Sequence, residues 1–279
     1  MFGDLTRVGA NFHAMESWSN LKKVNGQIGQ IQSRLSSGKR INSAEDDTSG
    51  YALSKHLESR GRGLSQALDN VGTAKNVLNI AEGGFQSQMS ILQTMKEKAT
   101  QAADGSFSVA QRGAINDQFD ALALELTDIS SDTTFNDNAL FGSTTTFQVG
   151  EGNGDTLAVT LSASDATATG VGEDATDISS TDLSTQSGAQ TAITTLDTAI
   201  KSLAKSIQKV GDYNARLSSK EESLSLAISN TEATRSRIED ADFAKEQMSM
   251  MKLQILQQTS VSSFSQANAA PQMVLSLMR

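Results

Sequence analysis

The chain has 279 residues and a formal net charge of -9, with 37% hydrophobic and 5% aromatic residues. It has no cysteine, which excludes a disulfide scaffold, a thiolate metal site and a cysteine nucleophile. Its single proline, Pro271, leaves almost the whole length free to form helix, and so few large core residues suit an extended bundle better than a compact globule.

The first residues, Met1-Phe2-Gly3-Asp4-Leu5-Thr6-Arg7, lack a basic segment followed by an apolar one, so a conventional signal peptide is not expected. Leu21, Val24, Ile28, Ile31 and Leu35 then step by three and four residues, the seam of a helix that packs on another helix. Gly38 is the expected stop. Leu64, Leu68, Val71, Leu78, Ala81, Phe85 and Leu92 mark a second, longer helix ending near Asp104-Gly105. A third carries Ile115, Phe119, Leu122, Leu126 and Ile129.

Between Gly113 and Ile200 there is no Lys or Arg but there are 14 Asp or Glu. An acidic middle of this kind argues against nucleic-acid binding there and for a solvated outer face. Phe147 and Val149 alternate before a Gly-rich run from Gly150 to Asp155, and Leu157, Val159 and Leu161 alternate after it, which predicts a β-hairpin. Ser162 to Gly188 is rich in Ser, Thr, Ala, Asp and Gly and reads as an exposed loop or weakly structured insertion.

The longest seam follows. Ile193, Leu196, Ile200, Leu203, Ile207, Val210, Asn214, Leu217, Glu221, Leu224, Ile228, Thr231, Arg235 and Ile238 hold one register throughout. A helix of about 45 residues would be roughly 70 Å long at 1.5 Å per residue, which predicts an elongated rod. From Asp242 to the end the chain is helical in propensity and rich in Met, Leu, Ile and Val, a deformable packing surface. One molecule buries its two terminal seams only by pairing them, and even a pair leaves apolar surface uncovered. Assembly with further copies is therefore expected, with the ends mobile until neighbours cover them.

Catalytic and metal chemistry find little support. His13 and His56 are the only histidines and lie far apart in sequence. Ser36-Ser37-Gly38-Lys39 lacks the earlier glycine and the preceding strand of a phosphate loop. Asp46 and Asp47, just before Gly50, are placed to cap a helix start. Arg235 and Arg237 beside Glu239 predict local ion pairs. No metal, cofactor, catalytic residue, nucleic-acid partner or membrane span is expected.

At both ends the residues resemble a known family. Leu35-Ser36-Ser37-Gly38-Lys39-Arg40-Ile41-Asn42-Ser43-Ala44-Glu45-Asp46-Asp47 is similar to the flagellin N-terminal signature. Ile80-Ala81-Glu82-Gly83-Gly84, Ala102-Ala103-Asp104-Gly105, Thr134-Phe135-Asn136 and Leu140-Phe141-Gly142 follow in the family's order. Near the other end stand Arg235-Ser236-Arg237-Ile238-Glu239-Asp240-Ala241-Asp242-Phe243, Gln254-Ile255-Leu256-Gln257-Gln258, Gln266-Ala267-Asn268 and Pro271-Gln272.

The resemblance implies a mainly α fold: an elongated rod of long antiparallel helices, a coiled coil formed by both chain ends, and a small β-hairpin region in the middle. Residues 1–42 and 240–279 would form an inner coiled-coil layer, 43–142 and 188–239 a surrounding helical layer, and 143–187 a short hairpin and variable loop in place of large outer domains. It further implies a secreted, extracellular subunit of the bacterial flagellum that polymerises with itself. Its inner assembly seam would comprise Leu21, Val24, Ile28, Ile31, Leu35, Ile255, Leu256, Phe264, Val274, Leu275 and Leu277. Implied partners are an export chaperone on the C-terminal helix from Gln254 to Arg279, and the filament cap and junction proteins. The rival readings are a hook–filament junction protein of the same family and a secreted enzyme or binding protein carried on flagellin-like arms. The first dozen residues and Trp18 depart from the family's common start. At the positions aligned with the Arg, Leu and Glu that animal innate receptors read in many relatives, this chain carries Thr94, Lys98 and Gln118. Receptor recognition is therefore expected to be weak or absent. A reporter-cell response as strong as that to a stimulatory flagellin would refute this expectation.

Overall fold

A computed structural model of the chain describes residues 11–166, 170–174, 176–179 and 181–277, with side chains described as far as residue 269. The described residues form α1 (Phe12–Ser37), α2 (Thr48–Ala102), α3 (Val109–Asp132), β1 (Thr134–Phe135), β2 (Asn138–Ala139), β3 (Thr144–Gln148), β4 (Thr156–Thr160), α4 (Gln186–Glu239) and α5 (Phe243–Leu277). They divide into two compact units, Met1–Arg60 with Asn230–Arg279, and Gly61–Ser229. The fold is mainly α, as the seam spacing predicts.

In the unit from 61 to 229 the apolar stripes of three helices make one core. On α2, Leu64, Val71, Leu78, Ala81, Phe85 and Leu92 are buried. On α3, Ile115, Phe119 and Leu126 are buried. On α4, Leu196, Leu203, Val210, Leu217 and Leu224 are buried, while Ile193, Ile200, Ile207 and Ile228 are half-buried against them. Glu221 is the seam position that turns to solvent, and its carboxylate takes the Lys75 ammonium at 2.8 Å. Each buried Leu or Phe contributes roughly 1.5–3 kcal/mol, whereas an exposed pair such as Lys75–Glu221 contributes about 0–1 kcal/mol. The stripes therefore hold the unit, and the ion pairs help to set alignment.

Helix ends are closed locally. Ser108 and Gln111 form a reciprocal capping box at the start of α3. The buried Arg112 side chain donates to the carbonyls of Ala102 at 2.8 Å and Asp104 at 2.7 Å, which covers orphan acceptors at the end of α2. Gly84 has a packing role. A Cβ there would sit 2.9 Å from the Phe141 ring and 2.8 Å from Thr133 Oγ1. Its absence lets Phe141 stack on Phe85 with ring centroids 4.3 Å apart.

The expected hairpin is present. β3 pairs antiparallel with β4, Phe147 opposite Leu157, and Leu157, Val159 and Leu161 are buried. A second, shorter hairpin, β1 with β2, turns through Asn136 and Asp137 at φ 51° and 63°. Two successive left-handed residues make this a type I′ connection, and Asn and Asp tolerate that backbone.

The described part of 162–185 has no regular secondary structure, as expected, but it is not merely exposed. Ala166, Val171, Ile178 and Leu183 are buried in the helical core. Glu173 pairs with Lys209 at 2.8 Å and Asp174 with Lys205 at 2.7 Å, so the segment is strapped along α4. Its anchors have no fixed spacing, so no periodicity announces them. The fully buried Gln88 secures the strap, because its Nε2 donates to the carbonyls of Leu126 at 3.2 Å and Ser164 at 2.6 Å. Ser164 Oγ in turn donates to Gln88 Oε1 at 2.6 Å. Replacing Gln88 by Ala takes the partner from the Ser164 carbonyl and hydroxyl, while Leu126 O keeps its helical donor, and opens a cavity. The expected cost is roughly 2–4 kcal/mol of unfolding free energy, read from denaturant midpoints.

Candidate assembly surface

The two chain ends, some 200 residues apart in sequence, meet in one antiparallel helix pair. Asn11 caps α1, its Oδ1 accepting from the Ala14 amide at 3.1 Å. Gly38 ends α1 in the left-handed conformation at φ 72°, its amide donating to Arg34 O. Asp242 opens α5, its Oδ1 accepting from the amides of Ala244 at 3.0 Å and Lys245 at 3.1 Å. The direction of the pair follows from contacts along it. Asn11 Nδ2 donates to Ala267 O at 2.7 Å, Gln257 Nε2 to Asn25 Oδ1 at 2.7 Å, and Arg34 lies 3.6 Å from Glu246.

On α1, the predicted seam faces α5: Ile31 is buried, and Leu21, Val24, Ile28 and Leu35 are half-buried. On α5 the half-buried positions are Glu246, Ser249, Met250, Leu253, Gln257, Ser260, Phe264 and Ala267; leaving out Ser249, they step by four and three. Much of that inward side is polar or small. The stronger apolar residues point the other way. Met248 is 61% exposed, Met251 57%, Ile255 65% and Val261 50%, with Phe243 and Leu256 also exposed. On α1, Phe12, Met15 and Trp18 are exposed as well. Of the predicted assembly residues, then, the five on α1 and Phe264 are brought together within the pair. Ile255 and Leu256 lie on the open side of α5. Val274, Leu275 and Leu277 lie outside the described side chains.

The two signature segments at the base of the pair bind each other. Lys39 and Asp240 form an antiparallel bridge. Arg40 N donates to Glu239 O at 2.6 Å, Ala241 N to Gly38 O at 2.9 Å, and the Arg40 guanidinium to Ile238 O at 2.6 Å. Glu239 is buried at the carboxyl end of α4, where the helix dipole disfavours an acid. The Lys39 ammonium contacts it and Arg235 approaches to 3.7 Å, compensating that charge. Asp47 caps α2, accepting from the amides of Ser49 at 3.1 Å and Gly50 at 2.9 Å, as its sequence position predicts. Asp46 instead gathers the preceding loop. It accepts from Gln30 Nε2 at 2.8 Å and from the amides of Asn42 at 3.0 Å and Ser43 at 3.1 Å. The Gln30 hydrogen bond, followed by the Asn42 amide, holds its carboxyl below the ordinary 3.8.

Other predicted positions are scattered. Thr94 and Lys98 are half-buried one turn apart on α2, and Gln118 is exposed on α3. His13 and His56 are both exposed. Among the described residues no group of three or more His, Cys, Asp or Glu is arranged to hold a metal ion, and no helix is long and apolar enough to cross a membrane.

Comparison with known proteins places this arrangement. The family model of the bacterial flagellin N-terminal helical region matches residues 8–146, and that of the C-terminal helical region matches residues 193–278. Flagellin FlaB1 of Treponema pallidum (strain Nichols) is 33% identical over 282 residues, covering 96% of this chain and 98% of that protein. A flagellin of Halalkalibacterium halodurans is 34% identical over 272 residues, with the same two shares. A flagellin of Listeria monocytogenes serovar 1/2a is 32% identical over 284 residues, 98% of this chain and 99% of that protein.

Because the Asp46 carboxyl titrates below its ordinary value, it adds stability above the ordinary range and loses it as pH falls through the depressed midpoint. A carboxyl NMR titration is expected to place the Asp46 midpoint below 3.8, and the Gln30→Ala substitution to move it back up. An unchanged midpoint in that variant would remove Gln30 as the main cause.

Proposed function

Since the chain belongs to the bacterial flagellin family and is a structural subunit of the extracellular flagellar filament, we propose that its paired ends are the surface through which copies polymerise. The observation that carries this reading is the outward-facing apolar side of α5, with Met248, Met251 and Ile255 each more than half exposed. A helix that has one partner and still turns its stronger apolar residues to water needs a second partner. An obligate contact between copies is expected to bury upwards of about 2,000 Å², mostly apolar.

On this reading residues 1–42 and 240–279 form the inner layer of the filament, 43–142 and 188–239 the helical layer around it, and 143–187 the outermost hairpin and strap. The seam residues of α1, together with Phe264, hold the two ends of one subunit against each other. Ile255 and Leu256 meet neighbouring subunits, and Val274, Leu275 and Leu277 join them in assembly on the strength of the sequence. Before assembly the exposed side of α5 is a natural docking place for an export chaperone, with 254–279 as its segment. Delivery through the flagellar export apparatus and contacts with cap and junction proteins complete the set of partners. Through the filament the protein serves motility.

Deletion of 1–35 or of 245–279 is expected to leave a folded helical core that cannot polymerise. Circular dichroism and electron microscopy of concentrated protein at neutral pH would show both properties. Filaments formed by either truncated chain would overturn the assignment of the surface.

A further inference from the structure

In an α-helix the carbonyl of residue 267 accepts from the amide of residue 271. Here residue 271 is the chain's single proline, which has no N–H, while α5 runs unbroken from Phe243 to Leu277. The Ala267 carbonyl therefore has no helical donor of its own. The structure supplies a different one. Asn11 Nδ2, from the cap of α1, donates to Ala267 O at 2.7 Å across 256 residues of sequence. The same side chain's Oδ1 accepts from the Ala14 amide at 3.1 Å.

We infer that Asn11 is a positioning residue that reads the acceptor vacated by Pro271 and so fixes the alignment of α1 against α5. The half-polar seam between the helices leaves room for such a device. A run of Leu, Val and Ile against Met, Gln, Ser and Phe tolerates displacement along the axis by one repeat. A side-chain amide whose Nδ2 donates to α5 while its Oδ1 caps α1 does not. A displacement would leave the Ala267 carbonyl and one half of the Asn11 amide without partners. Gln257 Nε2 to Asn25 Oδ1, at 2.7 Å, is a second polar link of the same register, nearer the middle of the pair. Alignment matters because the outward side of α5, proposed above as the assembly surface, moves with it.

This inference rests on that reading for its consequence, and its test separates the two. The Asn11→Asp variant keeps an acceptor for the helix cap but has no donor for Ala267. The Pro271→Ala variant restores a main-chain donor and makes the Asn11 donor redundant. The cysteine-free chain also allows an Asn25→Cys with Gln257→Cys pair to report alignment by disulfide yield under mild oxidation. Asn11→Asp is expected to raise the concentration needed for filament formation by at least ~10-fold, about 1.4 kcal/mol. It is also expected to lower the cross-link yield several-fold. In the Pro271→Ala background the same substitution is expected to do neither. If Asn11→Asp leaves both readouts unchanged, or shifts them just as far in the Pro271→Ala background, the inference fails. If the unaltered chain forms no filaments, the assembly reading fails, while the cross-link yields still decide the role of Asn11.

Discussion

The structure turns on an imbalance on one helix. α5 is apolar around most of its circumference, yet the side it gives to α1 includes Glu246, Gln257 and Ser260. Met248, Met251, Ile255 and Val261 are left facing water. A helix pair can bury only one stripe of each member. The surplus therefore lies outside the pair by geometry, however well the inner seam packs. On the proposed reading a neighbouring copy removes it from solvent, and the shortage of cover within one subunit drives self-polymerisation.

At the base of the pair a few polar contacts add to its seam. Segments 38–41 and 238–242 exchange main-chain hydrogen bonds, and Lys39 and Arg235 compensate the buried Glu239. Removing one member of such a cluster leaves a buried charge uncovered, which costs far more than an exposed ion pair contributes. Gly38 ends α1, and Asp47 and Asp242 cap the starts of α2 and α5. The two connectors, α1 to α2 and α4 to α5, are consequently closed side by side.

The unit from 61 to 229 solves a different problem. Its helices cover one another, and its irregular strap is held by four buried apolar side chains and by the Gln88–Ser164 pair. A polar pair at zero exposure is tolerated because every group in it is satisfied. Here the acidic middle of the chain also finds its local cations: Glu173 and Asp174 have no Lys or Arg near them in sequence and take Lys209 and Lys205 from α4.

Periodicity alone set out the helices. Every position of the long seam from Ile193 to Ile238 except Glu221 is turned away from solvent, and the hairpin pairs Phe147 with Leu157 as alternation predicts. Repeating spacing is a one-dimensional property, so a chain read residue by residue carries it. The signature segments at 35–47 and 235–243 could likewise be read as belonging together, but not as touching. Three features were out of reach. The anchors Val171 and Ile178 follow no period. The Asn136-Asp137 turn is an αL pair without the glycine that usually signals it. The inward side of α5 is its more polar side, so hydrophobicity selects Ile255 and Leu256 along with Phe264, where the fold turns Glu246, Gln257 and Phe264 to α1. Which stripe of an all-round apolar helix is covered depends on the angle at which its partner arrives. That angle is decided by contacts such as Lys39 with Asp240 and Asn11 with Ala267, between residues that only the folded chain makes neighbours.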